Sequence, residues 1–387
     1  MENRATNFFA KWFWSVDRVA FIMLVAILFV GSLLITAASP AVAERIKLTS
    51  FYFVYRQLLF LAVGLCLIVV ISLLNEKALK RMILFGFITF TILMMAVLVL
   101  GEEAKGARRW INVLGFTMQP SEFLKPFYIT LIGLILSEKY SKTNFPGFTI
   151  ALGIHVVTCA LLILQPDFGM VITYSAVLCG QFFLAGISLA LIIVLGLCAV
   201  VGAVGAYTFL PHVAKRVDNF LNPTSENYQV EKSLEAYVNG GLFGKGPGEG
   251  TVKSHLPDSH SDFIFAVAGE EFGAIFCAII IMLFFAFSLR SLVQILKSEN
   301  LFEIFTCSGI MMLFILQTIF NIGVTLHLFP TKGMTLPFIS YGGSSVLSFA
   351  IAFGIFFNLT RRKISFAKRN DKFYINKPVG SNAFVEN

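Results

Sequence analysis

The densest run of chemically capable side chains is HLPDSHSDFIFAVAGEEFG, residues 255–273, which sets His255, Asp258, His260 and Asp262 within eight positions and follows them with Glu270 and Glu271. Asp262 is the last polar residue before the apolar FIFAVA. At such a boundary between water and lipid, partial desolvation raises a carboxylate's pKa and strengthens it as a general base. The same position also suits a solvated residue or a helix N-cap. The two His and two Asp are spaced H-x4-H and D-x3-D in a loop containing Pro257, which does not fix a tetrahedral metal site; a loosely held divalent cation, Mg or Mn, suits them better. Glu270 and Glu271 lie about 12 Å deeper at helical rise. As neighbours they face different ways, so one of them at most is expected to line the same cavity.

Other segments place polar groups where apolar runs stop or where lipid makes charge expensive. GARRWI sets Arg108 and Arg109 beside Trp110, a pairing that suits an anionic phosphate or pyrophosphate group. QPSEFLKP carries Gln119, Ser121, Glu122 and Lys125, with Glu122 and Lys125 three apart on one helical face, as an ion pair or as part of a site. QPDFG is too short to leave the membrane surface and implies a tight turn that presents Gln165 and Asp167 to a cavity, Asp167 alternatively capping a helix. NGGLFGKGPGEGT, residues 239–251, lacks the order of a nucleotide-binding glycine loop and reads as a tight, conformationally special loop. PTKGMTLPFISYGGSS, residues 330–345, contributes Ser340, Gly342 and Gly343 to a cavity wall.

The elements that must position these groups are helices in lipid. Hydrophobic residues make up 57% of the chain and charged residues 13%, with a mean hydropathy of +0.80, which excludes an ordinary soluble domain. Ten apolar runs are long enough to span: 19–38, 58–74, 83–100, 122–137, 147–164, 168–184, 187–210, 263–287, 302–326 and 340–359. The expected fold is therefore an all-α polytopic membrane protein. A short segment, residues 1–18, precedes a ten-helix domain, residues 19–360, which contains a long loop, 211–262, between helices seven and eight; a basic tail, 361–387, follows.

The first run reads as an uncleaved signal anchor. An even number of spans and the basic RRKISFAKRNDK place both termini in the cytoplasm and the long loop outside. Positive charge on the outer side, at Lys105, Arg108, Arg109, Lys215, Arg216, Lys232, Lys245 and Lys253, runs against that rule, although long loops translocate regardless. The net charge of +8 flanks apolar runs and reports topology, so nucleic acid is not an expected partner. The cysteines Cys66, Cys159, Cys179, Cys198, Cys277 and Cys307 all fall in apolar runs and read as inert core residues.

Taken in order along the chain, WSVDR, GARRWI, QPSEFLKP, QPDFG, RVDNFLNP, NGGLFGKG, HLPDSHSDFIFAVAGEEFG and PTKGMTLPFISYGGSS resemble the SEDS family (shape, elongation, division and sporulation), nearer its cell-division members than its elongation members. That resemblance implies a peptidoglycan glycosyltransferase acting on lipid II at the outer face of the bacterial cytoplasmic membrane, at the division septum. It implies a class B penicillin-binding protein and other divisome membrane proteins as partners, and no organic cofactor. Asp262 matches the family's proposed catalytic aspartate. Arg108, Arg109, Gln119, Ser121, Glu122, Lys125, Gln165, Asp167, His260, Ser340, Gly342 and Gly343 are then candidates for substrate binding, with a divalent cation helping to neutralise pyrophosphate. A lipid II transporter, an elongation-type polymerase and a scaffold without chemistry are the competing readings.

Overall fold

The computed structural model describes residues 8–104, 107–113, 116–209, 214, 218, 228–330 and 333–361. Lys105, Lys215, Arg216, Lys332 and the basic tail beyond Arg361 lie outside the described residues, as does much of the first half of the long loop. Each of the ten apolar runs forms a helix: α2 (Arg18–Arg45), α3 (Tyr52–Ser72), α4 (Glu76–Leu100), α5 (Pro120–Ser141), α6 (Gly147–Leu164), α7 (Phe168–Leu184), α8 (Leu189–Phe209), α10 (Ile264–Ile295), α11 (Leu301–Thr325) and α12 (Gly343–Thr360). Two shorter helices, α1 (Phe8–Ser15) and α9 (Tyr228–Gly240), lie outside the spans. Two helices, α3 and α4, begin well before the apolar run that marks them, because long side chains such as those of Arg56 and Lys80 extend a helix toward water with their charged ends solvated.

Among the described residues, seven of these helices, α2, α3, α4, α6, α10, α11 and α12, are long and apolar enough to cross a membrane, and α7 is a shorter apolar helix. The helix α5 carries more polar residues because it barely meets lipid. Every residue from Pro120 to Gly133 is buried, and α4, α6, α7, α11 and α12 surround it. Close approach there depends on small residues, as is usual where helices pack without a hydrophobic driving force. A Cβ on Gly133 would sit 2.4 Å from the Thr306 hydroxyl. A ring cluster of Phe284, Phe287, Phe314, Phe349 and Phe353, with Phe314 and Phe353 centroids 5.2 Å apart edge to face, joins α10, α11 and α12.

Short polar caps set the helix ends. Asp17 accepts from the Ala20 N–H at 2.8 Å, Asn75 from Ala78 at 2.8 Å and Asn300 from Phe302 at 3.0 Å, each satisfying a donor the helix cannot. Pro120 opens α5 at a position where its missing N–H costs nothing.

Two features depart from the expected outline. The residues between α4 and α5 form a small antiparallel sheet of β1 (Glu102–Ala104), β2 (Ala107–Val113) and β3 (Phe116–Met118). The second is a break inside α10, where Gly273 adopts φ 83°, a conformation that only glycine takes at little cost. The carbonyls of Glu270 and Glu271 receive the N–H groups of Lys245 and Gly246 at 3.0 Å each, and the Ala274 N–H donates to Gly241 at 2.9 Å. The glycine loop thus completes the hydrogen bonding of a broken helix, which lipid could not do.

Both glutamates before the break serve that loop. Glu270 accepts the Asn239 amide at 2.9 Å and the backbone N–H groups of Thr251, Val252 and Lys253 at 2.8, 2.8 and 3.0 Å. Glu271 accepts the Gly248 N–H at 2.9 Å and pairs with the Lys253 ammonium, which also donates to Ala37 O at 3.1 Å. The loop wraps the helix end and meets both, so these bonds tie the glutamates to the loop and not to the Asp262 turn.

Candidate active site

Asp262 lies one residue before Phe263, the N-cap of α10, and is therefore not itself the cap. It is half-buried, at the end of a tight turn in which Asp258 adopts φ 54° and accepts the N–H groups of Ser261 and Phe263 at 3.0 and 3.3 Å. Two elements fix its position. The Asn321 amide of α11 donates to the Asp262 carbonyl at 2.9 Å and to the Met334 carbonyl at 2.6 Å. Ser340 donates to Ser261 O at 2.6 Å and accepts the Leu336 N–H at 2.7 Å, while the Tyr341 N–H donates to His260 O at 2.9 Å. The residues before α12 are thereby laid along the turn, and the backbone of Gly333 meets the carboxylate so closely that an added Cβ would lie 3.0 Å from Asp262 Oδ2.

From that wall a polar chain runs into the bundle. Gln317, one turn before Asn321 on the same face of α11, donates to Thr335 O at 3.0 Å and accepts the Lys125 ammonium at 3.0 Å. Lys125 pairs with Glu122 at 2.7 Å, at 1% and 7% exposure respectively, so both charges are held inside the protein. Ser348 donates to Glu122 O at 2.6 Å, and Thr335 donates to Ser345 at 2.7 Å. The Gln119 N–H donates to Ser344 at 3.1 Å; its amide donates to Ser121 at 3.1 Å and more weakly to Asp167 at 3.5 Å.

Asp167 both caps α7, accepting from Met170 N at 3.2 Å, and faces this chain. The two arginines separate because adjacent strand residues point to opposite faces. Arg109 turns inward, 3.9 Å from Asp167, donating to Gln165 O at 2.9 Å and to Pro166 O. Arg108 is exposed. The Gln165 amide donates to Met94 O at 2.9 Å and pins the turn to α4.

Three of the candidate contacts are also tied into the framework. His260 packs against Phe53 and Tyr341, with ring centroids 4.5 and 5.3 Å away; burial pushes its pKa down to about 4 and its Nδ1 has no partner, so it is neutral at pH 7. Gly343 admits the Phe60 ring, since a Cβ would sit 2.6 Å from it, and Gly342 caps α12. Among the described residues no three His, Cys, Asp or Glu side chains converge as a cation cage. Gln317 and Asn321 escape a search for charge. Their signal is two amides four apart in an apolar run.

Fold and site define a polytopic α-helical membrane protein with a buried polar interior that leads to a half-buried carboxylate at one end. The chain belongs to the cell cycle protein family of FtsW, RodA and SpoVE, whose model matches residues 17–364. It is 38% identical over 373 residues to the probable peptidoglycan glycosyltransferase FtsW of Caulobacter vibrioides (strain NA1000 / CB15N), covering 94% of this chain and 96% of that protein. It is 34% identical to stage V sporulation protein E of Bacillus subtilis (strain 168), covering 90% and 97%. A chain from a solved peptidoglycan synthase complex shares the fold with a TM-score of 0.74 at 24% identity, covering 89% of this chain and 98% of that one. The rod shape determining protein RodA of Thermus thermophilus does so with a TM-score of 0.67 at 23% identity, covering 89% and 97%.

Proposed function

We propose that the chain is a peptidoglycan glycosyltransferase that polymerises lipid II into glycan strands during septal wall synthesis. The observation that carries this reading is the Asp262 carboxylate, half-buried, with its backbone fixed by Asn321 and its flank cleared by Gly333. The names of its relatives support the same activity.

In the reaction the acceptor's N-acetylglucosamine 4-hydroxyl oxygen bonds to the donor's anomeric carbon. The bond from that carbon to the pyrophosphate oxygen breaks, and its electron pair leaves with undecaprenyl pyrophosphate. The hydroxyl proton passes to Asp262 as general base. A pyrophosphate whose charge is neutralised leaves without a proton, so one carboxylate suffices, unlike the acid pair of a glycoside hydrolase. Arg108, Arg109 and Lys125 supply positive charge, with Glu122, Gln119, Ser121 and Asp167 orienting them. Gln165, His260, Ser340, Gly342 and Gly343 shape the wall. A divalent cation has no cage of three protein ligands among the described residues, and no step is assigned to it.

The basic flanks support an arrangement with both termini cytoplasmic and Asp262 at the outer face. A class B penicillin-binding protein is the expected partner, which fits a structural neighbour from a peptidoglycan synthase complex that coordinates polymerization and crosslinking.

The test is lipid II polymerisation by the purified chain with its cognate transpeptidase. Asp262→Asn is expected to abolish polymer while leaving insertion and partner binding intact; normal strand synthesis by this variant would overturn the assignment. The transporter reading draws on the buried Glu122–Lys125 pair. It requires that lipid II transport survive Asp262→Asn and fail on changes at Lys125.

A further inference from the structure

The reaction proposed above leaves unused a cavity of about 560 Å³ at the other end of the bundle, where the start of α2, the end of α10, the start of α11 and the end of α12 meet. Four basic side chains line it, Arg18, Arg290, Lys297 and Arg361, against two acids, Asp17 and Glu303. Arg290 holds Asp17 through two contacts at 2.6 and 3.2 Å, and Glu303 accepts the Ser298 hydroxyl at 2.8 Å. The balance is positive. The Arg18 guanidinium lies 3.4 Å above the Trp14 ring, which orients the planar group while its N–H edge stays open to an anion.

An independent observation comes from Gln294, also in the lining. Its Oε1 and Nε2 are both buried without a hydrogen-bond partner, a costly arrangement in which a phosphate oxygen would satisfy the Nε2 donor and a headgroup hydroxyl the Oε1 acceptor. Val16, Val19, Ile295 and Leu359 complete the wall and suit an apolar attachment. Basic pockets between spanning helices have the chemistry of lipid headgroup sites.

We propose that this cavity binds a phosphate-bearing anion, and that its source is the headgroup of an anionic phospholipid in the adjoining leaflet. The full chain in nanodiscs of phosphatidylcholine containing a minority of phosphatidylglycerol is assayed by native mass spectrometry for retained lipid, with soluble glycerol 3-phosphate titrated in a parallel arm. Phosphatidylglycerol is expected to be retained over phosphatidylcholine, and its retention to fall at least tenfold in the double variant Arg18→Gln/Lys297→Gln. Gln294→Leu, which removes no charge, should weaken retention about fivefold. The variant Lys77→Gln/Lys142→Gln, which removes two charges from outside the cavity lining, should leave it unchanged. Saturable glycerol 3-phosphate binding lost in the same cavity variants, without lipid selectivity, would keep the phosphate site and overturn the lipid source. Equal loss in both double variants, or no effect of Gln294→Leu, would reduce the signal to general attraction at a basic surface and overturn the site.

Discussion

The side-chain amide of Asn321 donates to the backbone carbonyl of Asp262 at 2.9 Å, and the same nitrogen donates to Met334 O at 2.6 Å. One buried residue of α11 thus sets the spacing between the carboxylate-bearing turn and the segment that walls it. Asn321→Leu removes both bonds and takes a donor from each carbonyl, a cost of about 1–3 kcal/mol where a buried group loses its partner. Polymerisation is expected to fall at least tenfold with Asp262 itself intact, because displacements near 1 Å degrade catalytic alignment on that scale. Lipid II polymerisation and the melting temperature of the same preparation check this. Full activity at reduced stability would show that Asn321 holds the fold and not the alignment.

Gly333 tests the carboxylate from its other side. Gly333→Ala places a methyl group 3.0 Å from Asp262 Oδ2, and the carboxylate must give by a few tenths of an ångström to admit it. Activity is expected to drop strongly with a melting temperature close to that of the parent, since the neighbour that moves is the end of a side chain. An unchanged rate would mean that a shift of that size in Asp262 does not matter to the reaction.

The Glu122–Lys125 pair separates charge at the site from charge needed for folding. Removing one member, as in Lys125→Met, leaves an uncompensated buried charge and is expected to cost about 3–5 kcal/mol. The double variant Glu122→Gln/Lys125→Met removes both charges and should recover much of that stability, measured as melting temperature. If it also recovers polymerisation, Lys125 does not contact the leaving group. If stability returns without activity, the ammonium is needed in the chemistry.

The ten helices were legible in the sequence because lipid demands long apolar runs, and the residues of GARRWI, QPSEF and QPDFG were legible because charge is costly there. What escaped has a physical reason in each case. The strands β1 and β3 are too short to display alternation, and the ARRWINV of β2 does not alternate. Gln317 and Asn321 carry no charge, and amides inside an apolar helix look like ordinary tolerated polar residues until their partners are known. The break at Gly273 sits within EFGAIF, where one glycine is unremarkable. The role of Glu270 and Glu271 in holding the glycine loop escaped because most of their partners are backbone N–H groups of that loop, which leave no trace in residue identity. His260 drew notice as a polar group, yet its surroundings, Phe53 and Tyr341, come from two remote segments.

The neutral His260 gives a pH signature. Burial lowers its pKa from about 6.5 to about 4, so between those values the unfolded chain binds a proton that the folded chain refuses. Its contribution is unfelt above pH 6.5, and stability falls progressively as pH drops from 6.5 toward 4. His260→Phe keeps a ring against Phe53 and Tyr341 and removes the titration. The melting temperature of this variant in detergent is expected to decline less than that of the parent between pH 7 and 4.5. Parallel declines would mean that other groups set the acid sensitivity.

Glu270 links the site to the loop that covers the broken helix. Its carboxylate accepts four N–H donors, from Asn239, Thr251, Val252 and Lys253. Glu270→Gln replaces one acceptor oxygen with a donor, so at least one of those N–H groups then faces an N–H. The loop is expected to loosen first, because its remaining ties to α10 are the Lys253–Glu271 pair, the Gly248 bond and the backbone bonds around Gly273. Limited proteolysis should cut within residues 241–253 faster in the variant, at a rate suppressed in the parent. The turn of Asp262 follows this loop directly, so polymerisation should fall together with the gain in cleavage. Faster cleavage with an unchanged rate would separate the loop from the alignment of the carboxylate.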